Sequence, residues 1–161
     1  MMDQAPILTI TLNPALDMST SAARVVPDIK LRCEAPSFDP GGGGINVSRA
    51  IRNMGGHSTA LVALGGTTGQ RMAAMLEATG IPVLSLPAPG ETRQSLTADD
   101  RATRQQYRFV MPGPEWSADD VARALELATE MAPGDGLVVL SGSNPPGVPA
   151  SFGAMLAGRL Q

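Results

Sequence analysis

Residues 40–64, PGGGGINVSRAIRNMGGHSTALVAL, decide the architecture. Glycines lead into a stretch where Val47, Ile51 and Met54 recur at helical spacing, and Gly55-Gly56 ends it. Ser58 to Leu64 follows as an apolar run that reads as a core strand. A helix entered through glycines and delivered straight into a strand is half of a β/α repeat. The strand before it is Ile7 to Leu12, rich in β-branched residues and stopped by Asn13-Pro14. After Leu64, Gly65-Gly66 turns into a helix that runs to about Thr79, and Gly80 closes it. Ile81 to Leu86 is a third strand. Another helix starts at Ser117, where Asp120 forms a capping box with a shorter arm than the preferred Glu. Val121, Ala124, Leu125 and Ala128 make its buried face. Leu137 to Leu140 is a strongly apolar strand, Ser141 to Gly147 breaks it, and a final helix runs from about Ala150. Strands alternating with helices predict an α/β fold built on a parallel sheet.

Two segments break that rhythm. Residues 17–38 and 93–110 carry polar strands with no helix between them, near Met18–Ala22, Lys30–Phe38, Arg93–Ala98 and Arg104–Val110. They are expected to project as a small β lid from a core formed by residues 1–16, 39–92 and 111–161. The last helix stops at Leu160-Gln161 without a Gly or Asn cap, whereas a β/α series would return to another strand. The expectation is a chain truncated after the N-terminal half of a larger domain.

Composition narrows the function. The chain has 161 residues, 43% hydrophobic but only 3% aromatic, so its core rests on aliphatic side chains. A net charge of −3 argues against a nucleic-acid binder, which needs a basic footprint. One cysteine and one histidine exclude an intrachain disulfide and a Cys/His zinc site, and no metal-ligating set is expected. Residues 1–20 lack Lys and Arg, and their longest apolar run is short, so neither a signal peptide nor a membrane span is expected. The default is a soluble cytoplasmic protein without membrane partners. His57 reads as a solvent-facing turn residue, and Cys33 as a small buried apolar one.

Several loops could carry chemistry. If residues 93–110 form a hairpin turning near Asp100-Arg101, symmetric pairing sets Thr97 opposite Arg104, Ser95 opposite Gln106 and Arg93 opposite Arg108. Alternation then places all six on one face, and an even slip of register would preserve that sharing. Two guanidinium groups there repel unless an anion lies between them, and their donor forks suit a phosphate. A solvated polar face is the competing reading. Gly41 to Gly44 at a helix start permits a ligand to approach the backbone, where helix N–H groups attract anionic or polar oxygens. The run lacks the Gly-Lys-Ser/Thr ending of a P-loop, and Asn46 stands where a dinucleotide fingerprint needs its third glycine. A tight loop explains it as well as a site does. Asp17, just past a strand's carboxyl end, can accept from sugar hydroxyls or simply brace a turn. Ser141 to Gly147 leaves another strand's carboxyl end toward the same crevice.

Taken together these stretches resemble a known family. Thr9-Ile10-Thr11-Leu12-Asn13-Pro14-Ala15-Leu16-Asp17, Pro40 to Asn46, Lys30-Leu31-Arg32-Cys33, Tyr107 to Gly113, and Ser141-Gly142-Ser143 with Pro145-Pro146-Gly147 are similar, in order, to motifs of the phosphofructokinase B type of ribokinase-like carbohydrate kinases. The resemblance implies ATP-dependent phosphorylation of fructose 6-phosphate, with magnesium. Asp17, Gly42, Gly43 and Asn46 would hold the sugar, Arg93, Arg108 and Ser143 its phosphate. Lys30 would reach toward the phosphoryl group in flight, with Arg32 in support. A homodimer through the lid is implied as well. The family's catalytic Asp, in a Gly-Ala-Gly-Asp motif, has no counterpart in this sequence, nor does most of the nucleotide site. The 161 residues alone are therefore expected to be nearly inert. Phosphorylation of fructose 1-phosphate or tagatose 6-phosphate, and a non-catalytic sugar-phosphate-binding fragment, are the alternatives. Uncharged sugars fit the paired arginines less well.

Overall fold

A computed structural model of the chain describes residues 4–161; the first three positions of the expected core segment 1–16 lie outside the described residues. The elements run β1 (Ile7–Thr11), β2 (Ala15–Ala22), β3 (Ser37–Gly41), α1 (Gly43–Asn53), β4 (Thr59–Leu64), α2 (Gly66–Glu77), β5 (Val83–Pro87), β6 (Arg93–Asp100), β7 (Gln106–Val110), α3 (Ala118–Glu130), β8 (Leu137–Leu140) and α4 (Phe152–Arg159). A parallel sheet in the order β5-β4-β1-β8 forms the core. A second sheet, β3-β2-β6-β7, holds the polar strands.

The core sheet is covered on both faces because its central strands are apolar on both. On β4, Leu61 and Ala63 join Leu8, Ile10 and Leu12 of β1 and the loop after it, against Val121, Leu125, Phe152 and Leu156 of α3 and α4. Ala60, Val62 and Leu64 point the other way, against Ile45 of α1 and Met72 and Leu76 of α2. Each Leu, Ile, Val, Phe or Met among them contributes about 1.5–3 kcal/mol by leaving water. Two threonines break the apolar run of β1 with a positional purpose. Thr9 Oγ1 bonds Ser48 Oγ at 2.7 Å, and Thr11 Oγ1 accepts from the Ile45 amide at 3.1 Å. Together they seat α1 over the carboxyl end of β1. Gly44 is required at that seat, since a Cβ would overlap the Ile10 carbonyl and Thr11 Oγ1. The Ser117 box closes in both directions: Asp120 N–H donates to Ser117 Oγ at 3.2 Å and Ser117 N–H to Asp120 Oδ2 at 2.8 Å.

The second sheet departs from the sequence reading in four ways. Its first strand starts earlier, at Ala15, and the stretch expected as a strand from Lys30 to Phe38 pairs only at Ser37–Gly41, apart from an isolated bridge between Ala22 and Cys33. Pro36, which lacks an N–H, sits where the ladder fails to extend. Cys33 is exposed rather than buried, because this segment packs against no core element. The hairpin register is shifted: Thr97 faces Arg108, Asp99 faces Gln106 and Ser95 faces Val110.

The cause of that shift is a side chain. Asp100 is buried, and its carboxylate accepts from the amides of Val25 at 3.0 Å, Ala102 at 2.8 Å and Thr103 at 3.0 Å. It prolongs β6 and builds a wide turn that Arg104 enters with φ 59°. These bonds, led by the one from Val25, hold the Asp100 carboxyl below the usual carboxylate range. A depressed folded-state pKa stabilises the fold above the unfolded value, and that stabilisation is lost as pH falls through the folded one. Asp100→Asn should therefore destabilise the lid hairpin at neutral pH and flatten the acid limb of its stability. Amide exchange at residues 102–108 followed across pH checks this, and identical profiles would refute it.

Candidate functional site

Register places the polar residues of the second sheet in rows on one face. Gly41, Ala15 and Arg93 form one row; Asp39, Asp17, Ser95 and Val110 the next; Ser37, Ser19, Thr97 and Arg108 the third. The opposite face carries Leu16, Phe38, Met18, Leu96 and Phe109. Arg93 and Arg108 are thus staggered along the sheet instead of lying opposite one another. Their sharing of a face survives because the register slip is even. Both line one cleft of about 160 Å³, together with Asp17, Gly41, Gly42, Ser95 and Thr97.

Arg93 is held from behind. Its Nη1 donates to the Met111 carbonyl at 3.0 Å and its Nη2 to the Asn13 carbonyl at 3.1 Å. Its Nε is buried and has no acceptor among the described residues. A guanidinium has no acceptor lone pair, so only an electron-rich group can satisfy that donor. Asp17 lies in the row between the arginines. Burial raises its carboxyl above the usual carboxylate range; Arg93 pulls it down, Asp39 raises it further, and Arg108 pulls it down. Asp39 is engaged elsewhere, by both terminal nitrogens of Arg49 at 2.9 and 3.0 Å. A desolvated carboxylate between two cations is a group for hydroxyl donors, and the cations around it are for an anion.

The loop after β3 borders the cleft and packs on the loop after β8. Gly42, with φ 148°, carries the chain from β3 into α1, which begins with no side-chain cap and no acidic residue in its first turn. Gly43 packs so closely on Ser141 and Gly142 of the loop after β8 that a Cβ would overlap their backbone. The Gly44 amide donates to the Ser141 carbonyl at 3.2 Å. By contrast the N-terminus of α2 is already filled, because Glu91 accepts from the amides of Thr67 and Thr68. Ser143 is exposed at the start of the β8 loop and accepts from Asn13 Nδ2 at 3.1 Å; like Gly43, it is not among the residues that line the cleft.

The remaining expected residues lie further out. Asn46 is exposed on the first turn of α1, outside the cleft lining, and its amide donates to the Gly42 carbonyl at 2.9 Å. Lys30 and Arg32 are exposed on the irregular segment between β2 and β3 and do not line the cleft. His57 is exposed, its backbone clasped by the Gln4 side chain. Asn13, read from sequence only as a strand stop, is the polar residue that sequence reasoning passed over. Its signal was faint: an Asn rather than an apolar residue where a buried strand ends.

A larger pocket, about 480 Å³, opens at the amino ends of the core strands beside Arg52 and His57, on the side of the sheet away from these loops. Among the described residues no grouping of His, Cys, Asp and Glu could hold a metal ion, and no helix is long and apolar enough to cross a membrane.

Comparison with known proteins bears on the same elements. The profile of the pfkB family carbohydrate kinases matches residues 6–157. ATP-dependent 6-phosphofructokinase isozyme 2 of Mycobacterium tuberculosis (strain CDC 1551 / Oshkosh) is 46% identical over 146 residues, which are 91% of this chain and 43% of the relative. The protein of the same name from Escherichia coli (strain K12) is 45% identical over 142 residues, 88% of this chain and 46% of the relative. The crystal structure of phosphofructokinase-2 from Escherichia coli in complex with fructose-6-phosphate superposes with a TM-score of 0.89 at 42% identity, covering 98% of this chain and 52% of that one. The chain spans about half the length of the relatives it matches.

Proposed function

Because the chain belongs to the pfkB family of carbohydrate kinases, we propose that it carries the sugar-phosphate site of a 6-phosphofructokinase, an enzyme that phosphorylates fructose 6-phosphate to fructose 1,6-bisphosphate with ATP. The observation that carries this reading is the buried, acceptorless Nε of Arg93, a residue that lines one cleft together with Arg108. In this reading the arginines and the Ser143 hydroxyl take the existing phosphate. Asp17 accepts from sugar hydroxyls, while Gly42, Gly43 and Asn46 border the ring. Lys30, supported by Arg32, extends from the exposed lid segment toward the phosphoryl group being transferred.

The residues present do not fit the rest of the reaction. No Gly-Lys-Ser/Thr loop cradles a triphosphate, no described cluster suits magnesium, and no Gly-Ala-Gly-Asp supplies a base. No step is therefore routed through nucleotide or metal here. Phosphoryl transfer depends on positioning and charge stabilisation, and these residues contribute the acceptor's side of it: binding, orientation and charge balance. The lid sheet also supports the homodimer reading. Its edge strand β7 presents Phe109 and Val110, 49% and 65% exposed, next to unpaired backbone groups that a second copy would cover.

Titration calorimetry with fructose 6-phosphate, fructose 1-phosphate, tagatose 6-phosphate and fructose tests the reading on the complete natural polypeptide that contains these residues. Fructose 6-phosphate should bind at least tenfold tighter than fructose, a phosphate contact worth roughly 1.4 kcal/mol or more. Preference for another phosphorylated sugar would transfer the site to that substrate, and equal binding of fructose would refute a phosphate site.

A further inference from the structure

We infer that Asn13 is a positioning residue for phosphate recognition, one that turns the Ser143 hydroxyl proton outward to the ligand and braces the turn that holds Arg93. The inference rests on the sugar-phosphate reading above and assigns a role that the cleft lining does not reveal, since Asn13 is only 9% exposed and is not among the residues that line the cleft.

The geometry is as follows. Asn13 Nδ2 donates to Ser143 Oγ at 3.1 Å and to the Asn144 carbonyl at 3.4 Å. A carbonyl oxygen can only accept, so the Asn144 contact fixes which end of the amide faces the β8 loop. Ser143 Oγ therefore accepts from Asn13, and its single O–H remains free to donate. Because Ser143 is exposed, that proton is free to turn to a ligand outside the fold. A hydroxyl that already accepts a hydrogen bond is polarised into a better donor. The Ser143 hydroxyl is thus prepared as a donor to an anion, not as an acceptor.

Close packing against Gly113 restrains the other end of the Asn13 amide. Its Oδ1 is buried without a donor among the described residues and lies against Gly113, where any Cβ would overlap it. Gly113 lies just beyond Met111, whose carbonyl holds Arg93 Nη1, while the Asn13 carbonyl holds Arg93 Nη2. One residue is therefore clamped between the exit of β7 and the exit of β8, touching the supports of both phosphate-directed groups. No other residue bonds to both Arg93 and Ser143 among the described residues.

Asn13→Asp reverses the arrangement. A carboxylate can only accept, so it captures the Ser143 proton and adds a like charge beside the phosphate. The expected result, by calorimetry on the complete natural polypeptide, is about a tenfold or greater loss in fructose 6-phosphate affinity with fructose affinity retained. The companion test is a double-variant cycle. Asn13→Ala and Ser143→Ala should each weaken fructose 6-phosphate binding, and the double variant should lose less than the sum of the two single losses. Circular dichroism identifies any variant that fails to fold, and the alanine cycle decides the matter if Asn13→Asp is one. Affinities of Asn13→Asp and Asn13→Ala equal to the parent's, or losses that add in the double variant, would overturn the role of Asn13 while leaving the site reading intact. A folded parent that binds no fructose 6-phosphate would overturn the site reading, and this inference with it.

Discussion

Arg93→Ala is expected to lower fructose 6-phosphate affinity on the order of 10³-fold, the largest single effect of any substitution in the cleft, since truncating one partner of a buried charged pair costs roughly 2–5 kcal/mol. The size follows from how the side chain is held. Two backbone carbonyls, of Met111 and Asn13, fix the guanidinium before any ligand arrives, so little rotamer entropy remains to be lost on binding. The buried Nε has no acceptor in the free protein, and a phosphate oxygen there relieves an existing penalty. Arg93→Lys should rescue little, because one ammonium cannot reach both carbonyls and the ligand in the geometry of a planar fork. Arg108→Ala should cost less, since its exposed side chain has no comparable anchors. Calorimetry with fructose 6-phosphate, alongside fructose as a control, reads all three. Retention of affinity within about threefold in Arg93→Ala would remove the phosphate role from Arg93, since that change is well under 1 kcal/mol.

The parts of this molecule that were legible in its sequence are those set by local pattern. Leu61 and Ala63 against Ala60, Val62 and Leu64 alternate to two apolar faces, which is what a central parallel strand requires. The Ser117 and Asp120 box is likewise local, and the shorter Asp arm closes it in both directions. The lid register was not legible, because the buried Asp100 that sets it joins the nearby amides of Ala102 and Thr103 to that of Val25, 75 residues away in sequence. Symmetric pairing around Asp100-Arg101 was the simplest assumption, and it failed where a buried carboxylate chose a wider turn. The grouping of Arg93 with Arg108 outlived that failure only through the parity of the slip. Lys30 to Pro36 looked like a strand by composition, but it has no neighbour along most of its length. Asn13 was opaque for the same reason as Asp100. Its partners, Ser143 and Asn144, lie 130 and 131 residues further on, and nothing in Asn13-Pro14 itself names them.

Asp17→Asn should separate stability from binding. Burial is the largest influence on the Asp17 carboxyl and raises it, with Asp39 adding to the rise, so its ionised form is disfavoured in the folded chain despite Arg93 and Arg108. A group whose folded pKa lies above its unfolded one favours the fold most fully below the unfolded value. That contribution is lost as pH rises through the folded value. At neutral pH the Asp17 charge is therefore a cost to folding, retained in the row between the two arginines. An uncharged isostere removes the cost, so the melting temperature of Asp17→Asn at pH 7 should equal or exceed the parent's. Its acid limb should also lose the stabilising rise that the parent gains between the raised and the ordinary carboxylate value. Binding should move the opposite way. Hydrogen bonds from sugar hydroxyls to a charged acceptor are worth roughly 1.5–3 kcal/mol, so affinity should fall by about 10²-fold. The parent's own affinity should weaken as pH drops into the same window, because protonated Asp17 offers the sugar a poorer acceptor, whereas the variant's should keep only the pH dependence of the ligand's own phosphate. Thermal melts and fructose 6-phosphate titrations across pH measure both halves. A variant that melts lower and binds as well as the parent would make Asp17 a structural residue that braces the start of β2, and would leave the arginines as the site's only ligand-directed charges.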